Sequence, residues 1–128
     1  MAKGKGFDFE LFFSALADRT RLRLLNLLRD GEVCVCFFAG TLETNNPKIS
    51  RHLSYLKRAS LVTARRDGKW MHYSLQRPSD KTAADVFDAT MKMLESDPDM
   101  KFDRERLVEF CCSPTAPVMI QGRAKQGK

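Results

Sequence analysis

Between Asn45 and Arg58 the chain carries the segment that most restricts what it can fold into. Asn45 or Asn46 can cap a helix, Pro47 suits a first helical turn, and Ile49, Leu53 and Leu56 follow at helical spacing. With Ile49 at the centre of one face, Leu53 and Leu56 fall within about 40° of it on a 3.6-residue helix. Lys48, Ser50, Arg51, Ser54, Tyr55 and Arg58 point the other way, and His52 lies near the edge. One face is anchored, and the other is basic, hydroxylic and aromatic. That composition suits a helix in a DNA major groove, where Arg and Lys read guanine and Ser reads several base edges. A solvated amphipathic helix looks the same in isolation, so the flanking sequence has to decide.

Downstream, the stretches from Leu61 to Arg66 and from Lys69 to Leu75 read as two strands, with Asp67–Gly68 as the hairpin turn between them. Arg65, Arg66 and Lys69 crowd its tip, as in a wing that tracks phosphates or enters a minor groove. Trp70, His72 and Ser74 share one strand face, and Trp70 reads as packing. Upstream, Val33 to Leu42 reads as a short helix or turn-helix, and Glu43–Thr44–Asn45 is a turn of helix-turn-helix length. Charge follows the same map. Lys48 to Tyr73 holds seven basic residues against Asp67 alone, a net +6, while the rest of the chain balances 15 basic against 15 acidic residues. A local cationic patch suits a polyanion such as DNA.

The remaining segments are structural. Phe7 to Leu16 is a short helix with one greasy face, and Asp18–Arg19–Thr20 offers caps for a second helix, Thr20 to Arg29, ended by Gly31. Asp80 to Glu95 is a longer helix with Ala83, Phe87, Thr90, Met91 and Leu94 in one stripe. Ser96–Asp97–Pro98–Asp99 ends it, and Asp103 to Cys112 forms a last short helix. A chain of 128 residues suits one domain, 1–112, followed by a flexible basic tail, 113–128. There is no internal repeat, no secretory signal and no apolar run near the roughly 18 residues of a membrane span. The expectation is a cytoplasmic protein without membrane partners.

Four cysteines form two tight pairs, Cys34/Cys36 and Cys111/Cys112. In a reducing compartment such pairs point to metal binding or redox activity rather than to structural disulfides. In a regular helix, Cys34 and Cys36 would lie about 200° apart, so joint chelation of one atom would need a distorted first turn. On these grounds alone, buried structural cysteines and ligands are equal readings.

The order of parts, together with three strings, resembles the ArsR-type family of winged-helix repressors. The strings are Leu16-Ala-Asp-Arg-Thr-Arg-Leu22, Glu32-Val-Cys-Val-Cys36 and Pro47-Lys-Ile-Ser-Arg-His-Leu-Ser-Tyr-Leu-Lys57, and the hairpin Asp67-Gly-Lys-Trp70 fits as well. The likeness covers roughly Phe7 to Leu94. It implies a mainly α fold with a small β-hairpin, a dimeric winged helix-turn-helix. It also implies a repressor that holds double-stranded operator DNA as a homodimer and lets go on binding As(III) or Sb(III) through thiolates. The DNA-facing set is then Asn46, Lys48, Ser50, Arg51, His52, Ser54, Tyr55 and Arg58, with Arg65, Arg66 and Lys69 on the wing. Where the family has a third inducer cysteine this chain has Ala39, and the resemblance offers Cys111 or Cys112 instead. Asp80–Phe110 lacks the histidines of relatives that sense zinc through the helix after the wing.

Two other classes remain to be weighed. A thiol-redox-sensing DNA-binding regulator would use the same cysteines. A thiol-based metal carrier or oxidoreductase would use them without DNA, but no CxxC or paired base supports catalysis, so no enzyme and no catalytic cofactor are expected. The dimer interface is expected on the terminal helices, at Phe12, Leu16, Phe87, Met91 and Leu94.

Overall fold

A computed structural model describes residues 6–112, with side chains through Phe110. The tail at 113–128 and the side chains of Cys111 and Cys112 lie outside the described residues. Helices α1 (Phe9–Leu16) and α2 (Arg19–Leu27) start at aspartate caps: Asp8 accepts from the Leu11 amide and Asp18 from the Arg21 amide. A two-residue strand, β1 (Val33–Cys34), leads through a 3-10 turn (Val35–Phe37) into α3 (Phe38–Leu42), and α4 (Asn46–Arg58) follows. Strands β2 (Val62–Asp67) and β3 (Trp70–Leu75) form the wing, and α5 (Lys81–Glu95) and α6 (Pro98–Cys112) complete the chain.

The helix-turn-helix is shaped by backbone chemistry at its two stops. After α3 the Thr44 amide donates back to Ala39 and the Glu43 amide to Gly40, with Glu43 left-handed at φ 55°. After α4 the Leu61 amide donates to Leu56 and the Ser60 amide to Lys57, with Ser60 at φ 63°. Both are the paired 6→1 and 5→2 bonds that close a helix sharply, here without glycine, at a strain of about 1–2 kcal/mol each. Asn45, one of the two candidate caps, accepts from the Lys48 amide at 2.9 Å, and Pro47 sits in the first turn. The first stop turns the chain from α3 into α4, and the second sends it into the wing.

Three expectations need correction. Cys34 is not helical: Val33 pairs with Tyr73 and Cys34 with His72, giving an antiparallel sheet in the order β1-β3-β2. A β-branched residue facing an aromatic across a strand pair outweighs a weak local helix signal. The hairpin turn is displaced by one residue, because Asp67 pairs with Trp70 and leaves Gly68–Lys69 as the loop. Of these two only Gly68 has positive φ, 64°, so a single glycine suffices. Finally, α6 begins at Pro98, where Asp97 caps it by accepting from the Met100 amide.

The core joins Phe12, Leu24, Leu25, Leu28, Phe38, Ile49, Leu53, Leu56, Leu61 and Phe87 beneath the sheet and helices. Phe12, Phe87, Met91 and Leu94, expected at a subunit interface, are no more than 8% exposed and hold the protomer together. The apolar side chains that do reach the surface of α1 and α5 are Phe9, Phe13 and Met93.

Candidate nucleic-acid interface and thiol pair

On α4 the sequence-predicted faces separate cleanly. Ile49, Leu53 and Leu56 are fully buried, whereas Asn46, Lys48, Ser50, Arg51, Ser54 and Arg58 are exposed. The side chains of Lys48 and Arg51 make no hydrogen bond or ion pair among the described residues, so their charges are available to an outside partner. Tyr55 is half-buried, with the guanidinium of Arg21 over its ring at 4.1 Å and that of Arg58 at 4.6 Å. Such stacks are attractive through the ring quadrupole and fix the ring's plane.

His52 turns toward α2 rather than outward. Its Nδ1 lies 3.4 Å from the Arg21 guanidinium and 3.8 Å from Asp18, and its side chain is 13% exposed. Burial pushes its pKa below the usual histidine value, Asp18 opposes that shift, and Arg21, Arg51 and Lys48 reinforce it. At neutral pH it is therefore a neutral acceptor beside Arg21.

On the wing the three predicted cations are used differently. Arg65 forks onto Glu32 with bonds of 2.9 and 2.7 Å, and that hydrogen-bonded carboxylate raises its pKa further. Arg66 donates to the Gly68 carbonyl at 3.4 Å, and the Lys69 ammonium stands 5.5 Å from the Trp70 ring centre. All three are exposed at the end of the hairpin, beyond α4 in the chain.

The thiols of Cys34 and Cys36 meet at 3.3 Å, one from β1 and one from the 3-10 turn. The extended backbone at Cys34 removes the 200° helical separation, so joint chelation needs no unwinding. Cys34 is buried and Cys36 partly so. Across the sheet from Cys34, His72 is 2% exposed, and neither ring nitrogen has a hydrogen-bond partner among the described residues. No group of three or more metal-ligating side chains is assembled among those residues. Helix α6, whose last residues are Cys111 and Cys112, packs on α3 and on the 3-10 turn. The Phe110 ring comes so close to Gly40 that a Cβ there would lie 2.8 Å from it. Arg106 adds two bonds of 3.1 Å to the carbonyls of Gly40 and Thr41.

Sequence reasoning missed Arg21, the Glu32 partner of Arg65 and the buried His72. Arg21 and Glu32 fall inside the recognised strings, yet periodicity alone assigns no contact to either. Arg21 reaches α1 and α4 from one turn of α2, a relation only the tertiary arrangement creates.

Comparison with known proteins now adds to this geometry. Residues 18–64 match the model of the bacterial regulatory protein, arsR family. The chain is 39% identical over 113 residues to the arsenic resistance transcriptional regulator ArsR1 of Pseudomonas putida, spanning 84% of either protein. To the arsenical resistance operon repressor of Escherichia coli it is 44% identical over 77 residues, 59% of this chain and 66% of that one. Among solved structures, the homodimeric winged helix-turn-helix DNA-binding domain Mb0332 of Mycobacterium bovis aligns with a TM-score of 0.56 at 30% identity, covering 68% of this chain and 78% of that domain. An antimony-specific transcriptional repressor, AntR, aligns with a TM-score of 0.54 at 28% identity, over 69% of this chain and 78% of its own.

A helix-turn-helix with an exposed basic helix and a basic hairpin beside it defines the class: a winged-helix DNA-binding transcriptional regulator. Within that class the chain belongs to the ArsR family, whose members are regulators and repressors rather than enzymes. No helix among the described residues is long and apolar enough to cross a membrane.

Proposed function

We propose that the protein is a cytoplasmic, metalloid-responsive repressor that binds an inverted-repeat operator as a homodimer and releases it on binding As(III) or Sb(III). The observation that carries this reading is the 3.3 Å contact between the Cys34 and Cys36 thiols on the segment that opens the helix-turn-helix. Trivalent arsenic is a soft centre that takes thiolates, three in a pyramid or two beside an organic group. Cys34 and Cys36 supply two, and Cys111 or Cys112 supplies the third from the end of α6. The packing of α6 on the 3-10 turn supports a donor from the same subunit. The names of the P. putida, E. coli and antimony-specific relatives support the choice of ligand.

For the dimer, Phe9 at 63% exposure and Phe13 at 52% flank an apolar cleft of about 420 Å³ between α1 and α5. This face replaces the buried residues expected from sequence. A single recognition helix reads too few base pairs to find one site in a genome, which a two-fold dimer remedies. On the DNA, Lys48 and Arg51 read bases, while Arg65, Arg66 and Lys69 add affinity independent of sequence.

Release requires the ligand to bind the DNA-free conformer more tightly, with a coupling of about 1–3 kcal/mol. Cys34→Ser and Cys36→Ser should each bind operator normally yet stay bound when arsenite is added; release at wild-type arsenite concentrations would overturn the site. The double change Cys111→Ser/Cys112→Ser should lose the arsenite response. X-ray absorption still finding three sulfurs around arsenic in it would exclude the C-terminal pair. The thiol contact also favours a second reading, oxidation of the pair to a disulfide. DNA release by peroxide but not by arsenite would select it.

A further inference from the structure

The string Leu16-Ala-Asp-Arg-Thr-Arg-Leu22 carries none of the DNA-facing or thiol residues assigned above, yet its Arg21 is the most heavily engaged side chain near the recognition helix. Its Nε donates to the Ala15 carbonyl at 3.0 Å and one terminal nitrogen donates to the Ser14 carbonyl at 2.7 Å. Those carbonyls end α1, where its dipole is negative, and that of Ser14 also accepts from the Ala17 amide at 3.2 Å. The other terminal nitrogen meets His52 Nδ1 at 3.4 Å, and the guanidinium plane covers Tyr55 at 4.1 Å, both on α4. Asp18, which caps α2 through the Arg21 amide, completes the cluster at 4.0 Å. With its side chain 14% exposed and each of its three guanidinium nitrogens engaged within the protomer, Arg21 is not placed to take a DNA phosphate.

We propose that Arg21 is a positioning residue that sets the half-site spacing the dimer accepts, by locking the recognition helix α4 to the end of the dimerisation helix α1. The inference rests on the dimeric operator-binding reading above. In that dimer the distance and twist between two recognition helices are set through a chain of contacts. It runs from the subunit interface along α1, through one guanidinium, to Tyr55 and His52. Arginine suits the task because its flat, rigid fork serves carbonyls on one edge while its face stacks on a ring, and lysine offers only a point charge. The same ring also carries the Arg58 guanidinium at 4.6 Å, so Arg21 and the exposed end of α4 share one aromatic contact.

The test uses the full-length protein and DNA alone. Wild-type protein first recovers an inverted repeat from a pool of random duplexes, and affinity is then measured for that repeat and for the same repeat with one base pair inserted at its centre. The insertion turns the half-sites by about 34° and separates them by about 3.4 Å, so a rigid dimer should discriminate by about tenfold or more. In Arg21→Lys that ratio should collapse to about threefold or less, while the preference among single-base changes within a half-site stays as in wild type. A loss that is merely structural lowers affinity for both duplexes in parallel, and an unchanged ratio overturns the proposal. Should Arg21→Lys not fold, the double change His52→Ala/Tyr55→Leu removes the α4 end of the lock alone, and its ratio must collapse likewise or the proposal falls. If wild-type protein recovers no inverted repeat, the operator reading itself fails and this inference with it. If it does recover one and both variants keep the ratio, only the inference fails.

Discussion

Two sets of basic side chains lie within one small fold and do opposite things. On α2, the turn after it and α6, Arg21, Arg23, Arg29, Arg104 and Arg106 are spent inside the molecule. Arg23 forks onto Asp103 at 2.7 and 2.9 Å, Arg29 caps the Met91 carbonyl, and Arg104 bridges the Asn26 side chain and the Glu95 carbonyl. The fully buried Asn26 adds a bond to the Met100 carbonyl, so α2 is stitched to the first turns of α6 by polar contacts. On α4, by contrast, the exposed side chains of Lys48 and Arg51 make no hydrogen bond or ion pair among the described residues. The difference lies in the neighbours. Around α2 and α6 there are helix-end carbonyls and buried carboxylates to satisfy, whereas α4 presents no acid at all among its residues. A basic patch therefore marks a binding surface only where the fold supplies no partner of its own.

The largest break of this contrast comes from the spent set. Arg23→Ala strands the Asp103 carboxylate, whose side chain is 4% exposed, while Arg23 itself is 28% exposed. Breaking a buried pair costs about 3–5 kcal/mol, and the partial exposure of Arg23 reduces this to about 2–3 kcal/mol. Denaturant midpoints read the loss, and a change under about 0.5 kcal/mol would show the clasp to be ornamental. Next is Arg51→Ala, which should leave unfolding within about 0.5 kcal/mol of wild type. It should also lose about 1–3 kcal/mol of operator affinity with relaxed base preference. Unchanged affinity and specificity in competition titrations would remove Arg51 from the reading set. The smallest effect sharpens the boundary between the sets, since Arg65 stands in both. Glu32→Gln releases it for phosphate, and the slope of log affinity against log salt should steepen by about one. A slope identical to wild type would mean Glu32 does not compete with DNA.

How much of this was readable beforehand follows from periodicity. The faces of α4 and the helices α1, α2 and α5 repeat every 3.6 residues, Asn45 offers a cap by residue type, and the wing alternates with period two, so local sequence suffices there. The left-handed Ser60 that stops α4 carries no such signal. Strand β1 was not readable, because Val33–Cys34 becomes a strand only through Tyr73 and His72, some forty residues away. The start of α6 was hidden because Pro98 reads as a stop and serves as a first helical turn. Its fixing points mix the polar Asp103, Arg104 and Arg106 with the apolar Met100, Leu107 and Phe110, so no clean apolar stripe marks its first turn. Of the expected interface residues, Phe12, Phe87, Met91 and Leu94 were misplaced and Leu16 is half-buried, because an apolar stripe does not declare whether it faces its own core or a twin. Of the thiol site, the residue types were legible; their 3.3 Å approach was not, since it depends on β1.

The shortness of β1 has a kinetic consequence. A strand of two residues at the sheet's edge contributes few ladder bonds, so its detachment is a local opening well below global unfolding in free energy. Cys34 is fully buried when β1 is docked and reachable when it is not. Engagement of Cys34 by any thiol-seeking ligand is then gated by the fraying of a single strand pair, while the half-buried Cys36 is reachable first. The rate at which the Val33 and Tyr73 backbones trade deuterium for solvent hydrogen is a clock for that gate.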